Sequence, residues 1–322
     1  MAKFNWGVLG AGNIAVRFTN DLKNLPDAQL LGVGSRSLDK AEAFARRQGA
    51  TRAYGSYEEL LRDRDIDAVY VATPHNFHRG HVLLALEHGK AVLCEKPMEA
   101  NAARVQEMVD AAKRQKCFLM EAMWTRFLPV IAGARQWINE GRIGDIRLVS
   151  ANFGFRTAWN PEGRLLNLNL AGGATLDVGV YVVSLAHMLL GVPSSIQARA
   201  HIGETGVDEL TTMMLGYPSG ATALLSCAVR ANISDGARIY GTEGYIDLPS
   251  FWHATTATLQ IAGEAPETLS GEAGYHFEAA EVADCVRTGL TESPLMPLEE
   301  TVAIARTLEE VRHQIGLRYP FE

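Results

Sequence analysis

The chain has 322 residues, 47% hydrophobic and 21% charged, with a formal net charge of −7. That length exceeds a typical single core and predicts two domains, while the acidic balance excludes nucleic acid or an anionic membrane surface as the main partner. No apolar run reads as a membrane span, Met1-Ala2-Lys3-Phe4 enters a strand with no room for a signal peptide, and Cys94, Cys117, Cys227 and Cys285 lack a CxxC pair, so reduced thiols in a cytoplasmic protein are expected.

Residues 4–9 read as an apolar strand that ends in Gly10-Ala11-Gly12-Asn13-Ile14-Ala15. Ile14, Phe18 and Leu22 then recur at i, i+4 and i+8, the spacing of one helical face. The hexapeptide fits G-x-G-x-x-[GA]. Gly10 permits a tight turn, Gly12 lets the backbone approach a pyrophosphate, and Ala15 allows close helix–strand packing. A helix N-terminus offers phosphate its free N–H groups and a favourable dipole. Because the motif heads a βαβ unit, Gly10, Ala11, Gly12, Asn13 and Ile14 predict a dinucleotide site. A second strand is read over residues 28–35. An NAD site places Asp or Glu about 20 residues on, to bind the ribose 2′-hydroxyl. Here the chain reads Gly34-Ser35-Arg36-Ser37, and the first acid is Asp39. A carboxylate repels a 2′-phosphate, whereas Arg36 grips it and the Ser35 hydroxyl donates to it. The cofactor is therefore predicted to be NADP(H), with NAD(H) as the alternative.

Ser56-Tyr57-Glu58-Glu59 is a capping box that opens a helix carrying Leu60 and Leu61. A buried strand over 67–73, a helix over 77–88 closed by Gly89, a strand over 90–94, a helix over 101–115 and a strand over 117–121 follow. Strict alternation implies an α/β architecture, a doubly wound parallel sheet with right-handed crossovers. Such sheets bind ligands at the carboxyl ends of their strands. There the 90–94 strand ends in Glu95-Lys96-Pro97, with Lys96 held extended by Pro97 and placed where its pKa can be tuned. His75, His78 and His81 recur at intervals of three, but no carboxylate or thiol matches their spacing, and no metal site is expected. Trp124 and Arg126 follow the strand over 117–121; Arg126 either holds a cofactor or substrate oxygen or makes an interdomain salt bridge.

After residue 122 the pattern changes. Helices at 128–140 and 174–190 flank a strand at about 145–155, residues 195–262 read as consecutive strands, and helices at about 275–288 and 298–316 finish the chain. This predicts an α+β domain with a large, mostly antiparallel open sheet, and a division into residues 1–122 and 123–322. One sheet face needs a cover, and a homodimer through it is expected. Gly172-Gly173 would allow a ligand to approach the helix that follows, where Asp177 and Tyr181 share one face at i and i+4. A tyrosine, with an ordinary pKa of about 10, is a poor base at neutral pH. A lysine cation nearby favours the phenolate, and Lys96 is the candidate.

Gly10-Ala11-Gly12 after the first strand, Thr73-Pro74 with His78, Glu95-Lys96-Pro97 and the Asp177 helix together resemble the glucose–fructose oxidoreductase/inositol dehydrogenase (Gfo/Idh/MocA) family over nearly the whole chain. Leu119-Met120-Glu121-Ala122-Met123-Trp124-Thr125-Arg126-Phe127-Leu128-Pro129 is similar to the branch of dimeric dihydrodiol dehydrogenases and NADP-linked aldose (xylose) dehydrogenases. The resemblance implies an N-terminal Rossmann domain and oxidation of a hydroxyl, or the reverse carbonyl reduction, on a sugar or cyclic diol. It implies that Thr73, Pro74, His75, His78, Glu95, Lys96, Trp124 and Arg126 line the cofactor, and that Trp124, Phe153, Asp177, Tyr181, Trp252 and Phe277 face the substrate. Much of the family has a histidine where this chain has Tyr181, and many relatives have a further aspartate where it has Ser184. The expected catalytic set is Lys96, Tyr181 and Asp177: Tyr181 carries the proton, Lys96 donates to the substrate oxygen, and Asp177 orients Lys96 or a substrate hydroxyl. Exchanged roles, with Lys96 as base, remain open. So do a catalytically silent NADP-binding sensor and an oxidoreductase with tightly bound, non-exchanging cofactor.

Overall fold

The computed structural model describes residues 3–322. The chain forms two compact units: one takes the chain up to Trp124 together with Gly274–Val302, the other Thr125–Ala273 with Ala303–Glu322.

In the first unit strands and helices alternate: β1 (Phe4–Leu9), α1 (Asn13–Leu22), β2 (Ala28–Gly34), α2 (Leu38–Gln48), β3 (Arg52–Tyr54), α3 (Tyr57–Leu61), β4 (Ala68–Val71), α4 (His78–Glu87), β5 (Ala91–Glu95), α5 (Ala102–Gln115) and β6 (Leu119–Ala122). The six strands are all parallel, in the order β3-β2-β1-β4-β5-β6. Every residue of β4, β5 and β6 is buried, as expected of strands covered on both faces. Trp6, Phe18 and Tyr70 form a ring cluster in this core, with Trp6 edge-on to Phe18 at 5.2 Å and Phe18 lying flat on Tyr70 at 4.0 Å. Sequence patterning did not mark α2 and β3. Ser37 caps α2 by accepting from Lys40 N–H, and Gly49 closes it in the left-handed conformation. At α3 the Ser56 hydroxyl accepts from Glu59 N–H at 3.1 Å, but the Glu59 carboxylate reaches back to Gly55 N–H rather than to that of Ser56.

The second unit contributes α6 (Pro129–Asn139), β7 (Ile146–Gly154), α7 (Val180–Leu190), β8 (Ser195–Ile202), β9 (Asp208–Gly216), β10 (Thr222–Ala228), β11 (Gly236–Gly241), β12 (Gly244–Pro249), β13 (Thr256–Ile261) and β14 (Glu267–Ser270). Eight strands run in the order β14-β13-β12-β11-β7-β10-β9-β8, antiparallel except where β10 lies parallel to β7. Register sets one buried row across the sheet: Leu215, Ala223, Val149, Ile239, Ile246 and Leu259 stand side by side. α7 packs on β7 and β10, and α6 on β13 and β14. The alternate row carries Met214 opposite Leu224, both exposed.

α8 (His276–Arg287) and α9 (Leu298–Gln314) end the chain. α8 returns to the first unit, packing on α1, with Arg287 paired to Asp27 at 2.6 Å and Tyr275 N–H bound to the Asp21 carboxylate. Thr291 accepts from Leu119 N–H at the start of β6. One apolar segment, Leu168–Leu190, does have the length and hydropathy of a membrane span, contrary to the sequence reading, but 83% of its most apolar window is buried inside the protein.

Candidate functional site

In the first unit β1 ends at Leu9 and the chain turns through Gly10 into α1. Gly10 has φ +103°, and a Cβ there would stand 3.0 Å from the Ala72 carbonyl oxygen, so only glycine fits the turn. Gly12 caps α1, and a Cβ built on it meets no protein atom within 4 Å. The first turn of α1 contains no acidic residue and Ala15 is fully buried. Gly10, Ala11, Gly12, Asn13 and Ile14 thus present an open helix N-terminus with its orphan N–H groups and no competing charge.

At the end of β2 the buried Ser35 hydroxyl accepts from Ser37 N–H at 3.4 Å. Arg36 is exposed, lies over the Phe77 ring at 5.9 Å, and pairs with no carboxylate among the described residues. Asp39 belongs to the first turn of α2. This corner is cationic and lacks an acid at the β2 terminus, which fits a 2′-phosphorylated nucleotide.

Lys96 follows β5, and its segment is fixed by buried polar groups. Glu95 accepts from Tyr70 Oη and from Lys96 N–H. The next carbonyl, of Pro97, contacts His78 Nδ1 at 3.1 Å, while His78 Nε2 contacts Thr73 O at 2.7 Å. Met98 N–H donates to Glu121 at 2.8 Å and Ala100 N–H to Glu99 at 3.0 Å. The Lys96–Pro97 peptide is cis. His78 has no exposed surface, and burial holds its imidazole below the ordinary pKa. It brackets the ends of β4 and β5 from within. Thr73 Oγ1 bonds His81 at 2.9 Å, Pro74 caps the turn that follows, and His75 is buried with its ring 5.6 Å from that of His78. Burial pushes the His81 pKa down to about 4. Trp124 stacks on Tyr275 at 4.7 Å, and Phe277 lies beside His276 on α8, also in the first unit.

In the second unit the expected uninterrupted helix over 174–190 opens instead as a π-helical turn, Thr175–Gly179, before α7. Such turns are uncommon and recur at functional sites. Asp177 sits on this turn and Tyr181 at the start of α7, both buried. Tyr181 meets Phe153 edge-on at 5.4 Å, and Phe153 stacks flat on Trp252 at 4.8 Å. Trp252 is held by its indole N–H on Asp235 at 2.6 Å. Phe153, Trp252 and Tyr181 therefore form one aromatic group. Arg126 is buried and donates to the Ser184 hydroxyl and carbonyl, each at 3.0 Å, beside a small cavity lined also by Thr125, Met188 and Phe251.

The paired glycines make room for the protein's own chain rather than for a ligand. A Cβ on Gly172 would lie 2.8 Å from the carbonyl oxygens of Arg164 and Leu165. Gly173, at φ +119°, would place one 2.1 Å from Asp208 Oδ1. Asp208 is fully buried and accepts from Thr175 N–H, Thr175 Oγ1 and Thr211 Oγ1, each at 2.7 Å. That carboxylate pins the π-helical turn.

Three residues escaped the sequence reading. Asp208 is one, and Arg164, whose Nη1 stands 2.7 Å from Asp177 Oδ1, is another. The third is Glu278 on α8, fully buried with no hydrogen-bond partner for either oxygen among the described residues; burial, then Glu95, hold its pKa well above the usual carboxylate range. None carries a local motif.

Residues 4–123 match the family model described as "Oxidoreductase family, NAD-binding Rossmann fold", and residues 131–247 match the GFO/IDH/MocA C-terminal domain. Over 98% of both chains the protein is 42% identical to a mouse (Mus musculus) trans-1,2-dihydrobenzene-1,2-diol dehydrogenase. The chain belongs to the GFO/IDH/MocA oxidoreductase family. A human (Homo sapiens) trans-1,2-dihydrobenzene-1,2-diol dehydrogenase is 38% identical, again over 98% of each chain. An aldose-aldose oxidoreductase from Caulobacter crescentus, in complex with glycerol, superposes with a TM-score of 0.89 at 25% identity, covering 98% of both chains. A 3-ketoreductase from Actinomadura kijaniata in complex with NADP and TDP-benzene gives 0.85 at 25% identity, covering 97% of this chain and 98% of that one. The chain is an NAD(P)-dependent dehydrogenase acting on CH–OH groups, with a nicotinamide cofactor and a small-molecule substrate.

Proposed function

We propose that the protein is an NADP(H)-dependent dehydrogenase of a sugar or cyclic diol, with Tyr181 as proton carrier assisted by Lys96. The observation that carries this reading is the β2 terminus: an exposed Arg36 without a carboxylate partner, next to the Ser35 hydroxyl, where an NAD site carries an acid. The similar dehydrogenases named for a trans-diol, and the neighbours named for an aldose and a ketoreduction, support the substrate class.

The bound dinucleotide supplies the hydride acceptor in oxidation and the donor in reduction. The backbone N–H groups at Gly12, Asn13 and Ile14 would hold its pyrophosphate, and Ser35 and Arg36 would hold the 2′-phosphate. Tyr181 Oη takes the proton from the substrate hydroxyl in oxidation and returns it in reduction. Lys96 Nζ donates to the same oxygen and its charge favours the phenolate. Asp177 accepts from a substrate hydroxyl, and Phe153 with Trp252 forms a flat apolar wall suited to a ring. Wild-type protein incubated with NADP and a panel of aldoses and trans-diols should raise the absorbance of the reduced cofactor. Lys96→Met should lower turnover by about 10²- to 10⁴-fold while NADP still binds. Near-normal turnover in that variant removes Lys96 from the mechanism.

We also propose a cytoplasmic homodimer through the outward row of the eight-stranded sheet, where Met214 and Leu224 stand exposed and paired.

A further inference from the structure

We propose that Arg164, together with Asp177, reads a vicinal diol in the substrate: Asp177 accepts from one hydroxyl and Arg164 donates to its neighbour. The inference deepens the function above and rests on Asp177 facing the substrate.

Arg164 does not belong to the helix that carries Asp177. It comes from the preceding loop, which is folded back tightly: Leu166 and Asn167 N–H both donate to Gly163 O, and Gly173 N–H donates to Leu165 O at 3.0 Å. Leu166 is buried and anchors this turn. The Arg164 and Leu165 carbonyls sit where a Cβ on Gly172 would be. The backbone that presents Arg164 is therefore held against the Asp177 turn, which Asp208 fixes from the other side.

The side chain is half exposed, at 45%, whereas the Asp177 side chain keeps only 10%. A guanidinium has five N–H donors, and a single atom, Nη1, is spent on Asp177 Oδ1. The other donors make no hydrogen bond among the described residues, and the exposure of the side chain leaves them reachable by a ligand. Two physical consequences follow. Only the Arg164 end of the pair is exposed and solvent-screened; Asp177 is buried, so Arg164→Met also takes a partner from a buried carboxylate. The pair is also net neutral, so it offers an anion no charge advantage; instead it sets a strong acceptor beside strong donors at hydrogen-bond spacing. Adjacent hydroxyls, one donating and one accepting, match that arrangement. Sugars and trans-diols share this element, and an isolated alcohol lacks it. A site built to pair both hydroxyls discriminates against the ligand that leaves one charged partner unpaired.

The test compares Arg164→Met and Arg164→Lys with wild type on two ligand pairs, trans-cyclohexane-1,2-diol against cyclohexanol and trans-tetrahydropyran-2,3-diol against its deoxy partner, tetrahydropyran-2-ol. Steady-state turnover with NADP and titration calorimetry on the NADP-loaded protein are both measured. Arg164→Met should raise KM and Kd for the better diol by about tenfold or more, at least several times the change for the partner that lacks the second hydroxyl. Arg164→Lys should recover part of the loss, since it restores charge but not the planar fork. Equal losses on diol and partner would make Arg164 a structural pin and overturn the proposal, as would wild-type protein that distinguishes neither pair by turnover or binding. Arg164-dependent diol binding without turnover would instead refute the dehydrogenase reading and leave this one standing.

Discussion

Glu278 offers a sharp test of how the first unit tolerates its buried acids. Its side chain has no exposed surface, neither oxygen has a hydrogen-bond partner among the described residues, and Glu95 adds a second carboxylate to its surroundings. Tyr70 on β4, bonded to Glu95, and Tyr275 just before α8 are the other titratable groups in this field, and their phenols too are held above the ordinary range, chiefly by burial. Arg17 of α1 opposes them through Tyr275, but from an exposed position. The carboxyl therefore keeps its proton to higher pH in the folded chain than in the unfolded one. Its folded pKa is raised, so above the ordinary carboxylate value of 4.5 the unfolded chain binds fewer protons than the folded one. The contribution of Glu278 to stability falls as pH rises, by up to about 1.4 kcal/mol per pH unit, from that value up to the raised folded pKa. Glu278→Gln keeps the shape and loses the titration. At pH 5 the two proteins should differ by about 1 kcal/mol or less, since a buried neutral acid and a buried amide lose similar hydration. Above pH 5 the variant should pull ahead steadily. Urea unfolding followed by tryptophan fluorescence at pH 5, 6.5 and 8 measures this, with Glu278→Leu as a control that removes both unpaired oxygens. Parallel pH dependence in wild type and Glu278→Gln would show that Glu278 is already ionised in the folded state, and would refute the reasoning.

Arg36→Ala should raise KM for NADP by about ten- to a hundredfold, the loss of a charge-assisted hydrogen-bonded contact, and leave KM for NAD nearly unchanged. If the ratio of the two constants does not move, Arg36 is a solvated loop residue. Light scattering should give twice the chain mass for wild type and the single-chain mass for Leu224→Glu, which puts a charge in the outward row of the sheet. A wild-type monomer would refute the dimer.

How far the sequence discloses the molecule depends on the range of the interaction concerned. The parallel sheet is legible because its strands are buried on both faces and read as continuous apolar runs, and the dinucleotide turn because its glycines act within six residues. β3 is lost because one exposed and two half-buried residues make no pattern. The return of Gly274–Val302 to the first unit is lost for another reason: periodicity shows that α8 has a buried face but not that α1 is what buries it. Gly172-Gly173 is the clearest misreading. Its two glycines are legible as places of close approach, yet what approaches is a carbonyl of the preceding loop and a carboxylate from β9.

The same distinction separates the two kinds of functional residue. Lys96, Asp177 and Tyr181 carry recognisable chemistry at recognisable places, whereas the groups that hold them do not. Around Lys96 the chain places Glu95, Glu99 and Glu121 with His78, all buried and each bonded to backbone within the 95–100 segment or to the strand end beside it. Around Asp177 it places Asp208, fully buried, on the backbone and hydroxyl of Thr175. Burying a carboxylate is costly unless it is hydrogen-bonded, and such groups earn little net stability even when satisfied. Apolar side chains would fill the same volume at lower cost, but they cannot fix a backbone N–H to within a few tenths of an ångström. In both units, then, the buried acids trade stability for a defined backbone path at the residues proposed to meet the substrate, and hydride and proton transfer are reactions in which small misplacement is penalised heavily.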